Sequence, residues 1–214
     1  MITVKAFYFN DIRECTYVAY DETKECVIID PGCQSAGEQQ RLVKFIEQNN
    51  LKPVKALLTH GHFDHVMGAA FVHRQWNIPF YLHAEDKGQL ERAQPYCQMF
   101  GLNIEQPPTD TVDVNDGDII KFGNTELHAI HTPGHTRGGV CYYSLPDKII
   151  FTGDSLFAGS IGRTDLPGGD YDALMESLLG KVCKLDPDMK VYPGHGPETT
   201  IAHELNTNPF LRYE

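Results

Sequence analysis

The chain has 214 residues and a formal net charge of −11, from 18 basic and 29 acidic side chains. A chain of this length buries enough surface to fold as one domain, expected over residues 1–214, without disulfides or a partner chain. The acidic balance, spread along the sequence, excludes phosphate-backbone binding as the main task, so nucleic acid is not an expected partner.

No apolar run approaches the ~20 residues that span a bilayer, so no membrane association is expected. Met1 leads directly into a strand-like alternation with no apolar signal region, which gives a cytoplasmic expectation. Cys15, Cys26, Cys33, Cys97, Cys141 and Cys183 form no CxxC pair, and several lie in apolar runs, as reduced buried thiols do.

Strand patterns occupy residues 3–9, 15–20 and 26–29, an opening meander that stops at the turn Asp30-Pro31-Gly32. Residues 36–48 carry Leu42, Val43, Phe45 and Ile46 at helical spacing, and a buried strand at 54–58 delivers the chain to a histidine-rich run. Helical periodicity then covers residues 66–76, a short strand 78–82, and a second helix 86–100 that Pro95 weakens. Residues 106–118 read as a polar connection. Strands are expected at 119–122, 125–131, 139–143 and 148–151, a helix at 171–184 and a last strand at 190–192. Strands in two batches, each followed by helices, predict two packed sheets flanked by helices.

The run His60-Gly61-His62-Phe63-Asp64-His65 sits where a buried strand ends and a helix begins. Residues two apart on extended backbone point to one side, so His60 and His62 share a face while Asp64 and His65 turn toward another. Imidazole and carboxylate at such spacing suit zinc or another borderline transition metal. One run cannot complete two coordination shells, so further ligands are expected at other loop tips. His135 in Pro133-Gly134-His135-Thr136, Asp154 in Thr152-Gly153-Asp154-Ser155 and His195 in Pro193-Gly194-His195-Gly196 meet that need. Each follows a strand pattern and has a glycine beside it, which lets the backbone turn sharply.

Asp30, at a strand end, either orients a metal-binding histidine or holds its own turn. Leu156 and Phe157 form either an apolar wall for substrate or core. His131 reads as a framework residue, and His73, His83, His128 and His203 lack partner spacing.

The order HxHxDH, PGHT, TGDxLF and PGHG resembles the metallo-β-lactamase superfamily. Ile29-Asp30-Pro31-Gly32 and Asn208-Pro209-Phe210 extend the resemblance over essentially the whole chain, toward the hydroxyacylglutathione hydrolase (glyoxalase II)-like branch. The form is short, without that family's C-terminal helical domain. The resemblance implies an α+β fold, a four-layer αββα sandwich with metals at one rim between the sheets. It implies His60, His62 and His135 for a first metal, Asp64, His65 and His195 for a second, and Asp154 as the bridge. The cofactors would be two divalent ions, zinc, or alternatively iron or manganese.

The implied activity is hydrolysis of a thioester such as S-lactoylglutathione or a related small acyl thioester. A hydroxide held between cations roughly 3.5–4 Å apart would attack the carbonyl, with Asp64 orienting the water or taking its proton. Arg163 lies where this family holds the substrate's peptide portion, and would clamp a substrate carboxylate unless it pairs with Asp165 or Asp170. Three alternatives stand beside this reading. They are a persulfide dioxygenase-like oxidoreductase with one iron, a hydrolase of another ester or lactone, and a non-catalytic binding protein. The last would leave seven clustered ligands without a task.

Overall fold

The computed structural model describes residues 1–212. β1 (Thr3–Phe9), β2 (Glu14–Tyr20) and β3 (Glu25–Ile29) form an antiparallel meander, and β2 and β3 are buried on both faces. The chain leaves β3 through Asp30 in the left-handed region, φ 49°. It enters α1 (Ala36–Gln48) through a capping box between Ser35 and Glu38, with Leu42 and Ile46 buried. β4 (Lys52–Leu57) runs parallel to β3, as a helical crossover requires. α2 (Phe63–Val66), α3 (Ala69–Trp76), β5 (Phe80–Leu82), α4 (Lys87–Met99) and β6 (Thr111–Asp113) complete a six-stranded sheet in sequential order.

The second half repeats the plan. β7 (Ile119–Phe122), β8 (Thr125–His131), β9 (Val140–Ser144) and β10 (Ile149–Gly153) form a meander, and a small ribbon of β11 (Leu156–Phe157) and β12 (Ser160–Ile161) follows. After α5 (Tyr171–Gly180), β13 (Lys190–Pro193) pairs parallel with β10, and β14 (Thr199–Thr200) leads into α6 (Ile201–Thr207). The order is β14-β13-β10-β9-β8-β7.

Three apolar cores separate four layers. Tyr17, Val27, Ile29 and Leu57 of the first sheet meet Leu127, Ala129, Tyr142 and Phe151 of the second. The outer face of the first sheet, with Val18, Ile28 and Ala56, is covered by Leu42, Ile46, Val72 and Leu90 of the helices. Cys141, Ile150 and Val191 on the outer face of the second lie under Leu174, Leu178 and Ile201. This is the expected αββα sandwich. No helix among the described residues is long and apolar enough to cross a membrane.

Local departures have local causes. The helix expected over residues 66–76 is split, because the Gly68 N–H donates to the Pro31 carbonyl at 2.8 Å and a side chain there would collide with Cys33. The supposed polar connection contributes β6 as an edge strand. The helix expected to Lys184 ends at Gly180 and continues as a single tighter turn. α6 escapes periodicity because Ile201 and Glu204 are its only buried residues.

Two tyrosines cross between the sheets. Tyr17 of the first donates its hydroxyl to the Pro193 carbonyl of the second at 2.7 Å, and Tyr142 of the second donates to Leu58 at 2.9 Å. Each acceptor sits just before a histidine of interest, His195 or His60. Burial pushes both phenols far above their ordinary range, so they remain donors at every working pH. Tyr17→Phe or Tyr142→Phe leaves a buried carbonyl unpaired, which costs about 1–3 kcal/mol. Denaturant unfolding is expected to show that loss in each variant, with the fold retained.

Candidate metal centre

Leu58, buried with the rest of the strand end, passes the chain to Thr59 and His60 at the rim between the sheets. His62 is extended, at φ −67° and ψ 146°, and α2 begins immediately after it. That change of backbone separates the two faces of the run. Loops after β8, β10 and β13 bring His135, Asp154 and His195 to the same rim.

The donor atoms fall into two main triads, His60–His62–His135 and Asp64–His65–His195, each with ligand atoms within 4.8 Å of one another. His135 Nε2 stands 2.9 Å from His62 Nδ1, and His195 Nε2 is 3.1 Å from Asp64 Oδ2. Asp154 lies between the triads. Its Oδ1 is 3.3 Å from His65 Nε2, while Oδ2 is 3.6 Å from His135 Nε2 and 3.7 Å from His195 Nε2. All seven candidate ligands therefore converge.

Three of the five rings are gripped from behind. Asp30 Oδ2 accepts from His65 Nδ1 at 3.0 Å, while its carboxylate also accepts the Thr59 N–H at 2.7 Å and the Thr59 hydroxyl at 2.6 Å. Asp30 also groups with His60 and His65 by distance. Those three hydrogen bonds occupy its oxygens, so its place is behind the rings. Thr59 Oγ1 stands 3.0 Å from His60 Nδ1, and His135 Nδ1 donates to the Arg163 main-chain carbonyl at 2.7 Å. With those nitrogens engaged, Nε2 is the atom that His60, His65 and His135 have left to offer a cation. Gly194 allows close approach, since a Cβ there would enter the space of Asp154 and His65.

The charge pattern fits a cation. Burial, with the neighbouring imidazoles, holds His60 well below its ordinary range and His62 at about 4. Burial opposes charge on His65 too, but Asp154, Asp64 and Asp30 overcome it and raise that imidazole. Asp154 stays ionised against burial through His65, His195 and His135. Of five buried side-chain atoms without a hydrogen-bond partner among the described residues, three are here: His60 Nε2, His65 Nε2 and Asp154 Oδ1. Inward-pointing orphan donors of this kind are what divalent metals satisfy.

Sequence reasoning missed several supports. Asp86 is fully buried and accepts the Gly61 N–H at 3.0 Å, the Thr136 hydroxyl at 2.8 Å and the Gly138 N–H at 2.7 Å. It thereby clasps the loops of His60, His62 and His135 together. Within Glu85-Asp86-Lys87 it looks like surface.

Glu14 is also fully buried. Thr16 Oγ1 accepts from Gly32 N and lies 2.7 Å from the Asp30 carbonyl and 2.9 Å from Glu14 Oε2. One hydroxyl proton cannot serve both, so Glu14 is the donor in its neutral form. Burial raises its carboxyl well above the usual range; His65 opposes this, and Asp30 and Asp64 add to it. The one signal was an acid opening an apolar strand.

Glu204 accepts from Gly159 N and Asn208 Nδ2, both at 2.8 Å, and Asn208 also donates to the Ser160 carbonyl at 3.0 Å. The Asn208-Pro209-Phe210 motif thus anchors the loop leading to Arg163. The Arg163 guanidinium is paired with Asp165 through two hydrogen bonds of 2.7 Å and is 60% exposed. Phe157 lines the rim, its ring 6.2 Å from that of His195. His131 stacks on His83 at 4.1 Å and meets the Arg137 carbonyl, a framework role, and none of His73, His83, His128 and His203 joins a donor group among the described residues. All six cysteines are free thiols.

Asp86→Ala orphans three donors at about 1–3 kcal/mol each. It is expected to lower the metal bound per chain, measured by elemental analysis, with Asp86→Asn intermediate. A second expectation concerns protons. In the metal-free protein His65 is held as imidazolium, and a cation must displace that proton. Metal loading at neutral pH should release a proton, and affinity should rise about tenfold per pH unit until His65 is neutral. Calorimetry in buffers of different ionisation heat reads this, and no proton release at neutral pH would contradict it.

A family model described as the metallo-beta-lactamase superfamily matches residues 11–195. Hydroxyacylglutathione hydrolase GloC of Haemophilus influenzae is 38% identical over 213 residues, covering 99% of this chain and 96% of that protein. Among solved structures, BLEG-1, described as a B3 metallo-beta-lactamase, superposes with TM-score 0.89 and 37% identity, covering 98% of this chain and 99% of that one. TTHA1623, solved in a di-iron-bound form, gives TM-score 0.87 and 37% identity over 97% of this chain and 100% of its own. With its sandwich, its rim of seven convergent donors and a family match over most of its length, the chain belongs to the metallo-β-lactamase superfamily.

Proposed function

We propose that this chain is a binuclear metallohydrolase of small acyl thioesters, glyoxalase II-like in chemistry. The observation that carries the reading is Asp154, whose carboxylate reaches both donor triads, with Oδ1 beside His65 and Oδ2 beside both His135 and His195. The GloC relative, named for a thioester hydrolysis and matched along nearly its whole length, supplies the substrate class.

His60, His62 and His135 would hold one divalent cation, Asp64, His65 and His195 the other, and Asp154 would be shared. Zinc suits this set, and the di-iron form of TTHA1623 keeps iron in play. When bound, the cations would polarise the carbonyl and acidify water enough for attack near neutral pH. The chain's own residues do the remainder. Asp30, Thr59 and the Arg163 carbonyl fix ring orientation, so that little reorganisation accompanies reaction. Asp64, kept ionised by His65 and His195 against burial, is the carboxylate that orients the water or takes its proton. Phe157 narrows the mouth beside His195 and limits water there.

Arg163 serves the substrate in this reading by exchanging Asp165 for a substrate carboxylate. The exposed pair is weakly held, so the exchange is easy. BLEG-1 favours a second reading, in which a β-lactam amide is cleaved at the same centre.

The test is elemental analysis of the purified protein, with the same sample assayed on S-lactoylglutathione, neutral thioesters and a β-lactam. Two metals per chain and chelator-sensitive thioester cleavage are expected. One iron per chain, with oxygen uptake on glutathione persulfide and no thioester cleavage, would overturn the proposal. Arg163→Ala should raise KM for the glutathione thioester about tenfold or more, leaving kcat and neutral thioesters unchanged, as loss of a charged hydrogen bond predicts.

A further inference from the structure

A row of large apolar side chains runs from the ligand-bearing run onto the C-terminal half of α4. The helix turns Leu90, Ala93 and Cys97 inward, which leaves Tyr96 on its flank and Met99 and the capping residue Phe100 at its exposed C-terminal end. These three are 42%, 80% and 61% exposed. Phe63, between the candidate ligands His62 and Asp64, begins the row. Its ring lies 5.6 Å from Tyr96, and Tyr96 lies 5.1 Å from Phe100.

The row is held in place at its far end. Gly101 adopts a left-handed turn, φ 73°, and the Leu102 N–H returns to the Cys97 carbonyl at 3.0 Å. Neighbouring apolar groups left in water are unfavourable and mark a surface that something covers. The inner end of this surface is a residue of the ligand-bearing run itself, and α2, which carries Asp64 and His65, packs against α4. Asp165 chiefly, and last the Tyr96 phenol, favour the charged form of the Arg163 guanidinium.

We propose that Phe63, Tyr96, Met99 and Phe100 form a binding shelf for an apolar acyl chain of the substrate, whose carbonyl reacts beside Asp154. The proposal rests on the hydrolase reading and names its acyl class: a linear or aryl hydrocarbon chain rather than a short polar group such as lactoyl. Arg163 is left for the anionic thiol portion.

The test uses the metal-loaded protein and two series of ligands, glutathione thioesters from acetyl to decanoyl and S-alkylglutathiones from methyl to decyl. Full burial would give about fourfold per methylene, and a one-sided shelf about half of that, so kcat/KM should rise about twofold per methylene until the chain passes Phe100. The double variant Met99→Ala, Phe100→Ala should flatten that slope while keeping its metal content, and Phe100→Leu should restore part of it.

S-alkylglutathione binding that strengthens with chain length in a protein that cleaves no thioester would retain the shelf and overturn the hydrolase reading. Cleavage with no dependence on chain length, in rate and binding alike, would overturn the shelf and retain the hydrolase. A dimer in sedimentation that the double variant converts to monomer would also overturn the shelf, assigning the row to contact between copies of this chain.

Discussion

Crowding is the constraint on which this rim depends. Nitrogens of His62 and His135 stand 2.9 Å apart, and three carboxylates, of Asp30, Asp64 and Asp154, lie within reach of His65. Left to side-chain packing alone, such groups would turn toward water. The rings of His65, His60 and His135 stay because each is held from behind by a hydrogen bond to something rigid: a carboxylate at a strand end, a threonine hydroxyl or a main-chain carbonyl. The inward atoms are then unsatisfied by construction. Metal affinity on this view belongs to the scaffold as much as to the ligands.

The two sheets share the task unequally. The first supplies His60, His62, Asp64 and His65 in one run, whereas the second supplies His135, Asp154 and His195 from three loops. Each triad takes members from both sheets, so the relative placement of the sheets sets how each triad closes. The reciprocal tyrosines act at that joint, each anchoring the opposite sheet just before a ligand loop. Asp86 does the same within one triad, joining Gly61 after β4 to Thr136 and Gly138 before β9.

The ligand run was legible because all its chemistry lies in six consecutive residues, and His135, Asp154 and His195 because glycine punctuates each loop after a strand pattern. The two-sheet plan was legible from strands arriving in batches. Asp86 and Tyr17 were not, since their partners are distant in sequence and mostly main-chain atoms, which leave no pattern of residue types, and Glu14 was not, since its burial depends on the packing around β2. The break at Gly68 depends on Cys33 and Pro31, brought near only by the fold. α6 carries too short an apolar face to register. Asp30 was half legible: its strand-end position suggested both roles, and the coordinates give it three hydrogen bonds that serve the rings.

Arg163 divides its labour between main chain and side chain. Its carbonyl holds His135, an assignment indifferent to residue type, while its guanidinium sits at the surface with Asp165. On the proposed reading of Arg163, mutation at this codon changes what the mouth recognises without loosening the imidazole behind it. Such uncoupling gives natural variation a site where specificity drifts while the reaction chemistry is conserved, and a scaffold with that property can be passed from one substrate to another across a lineage.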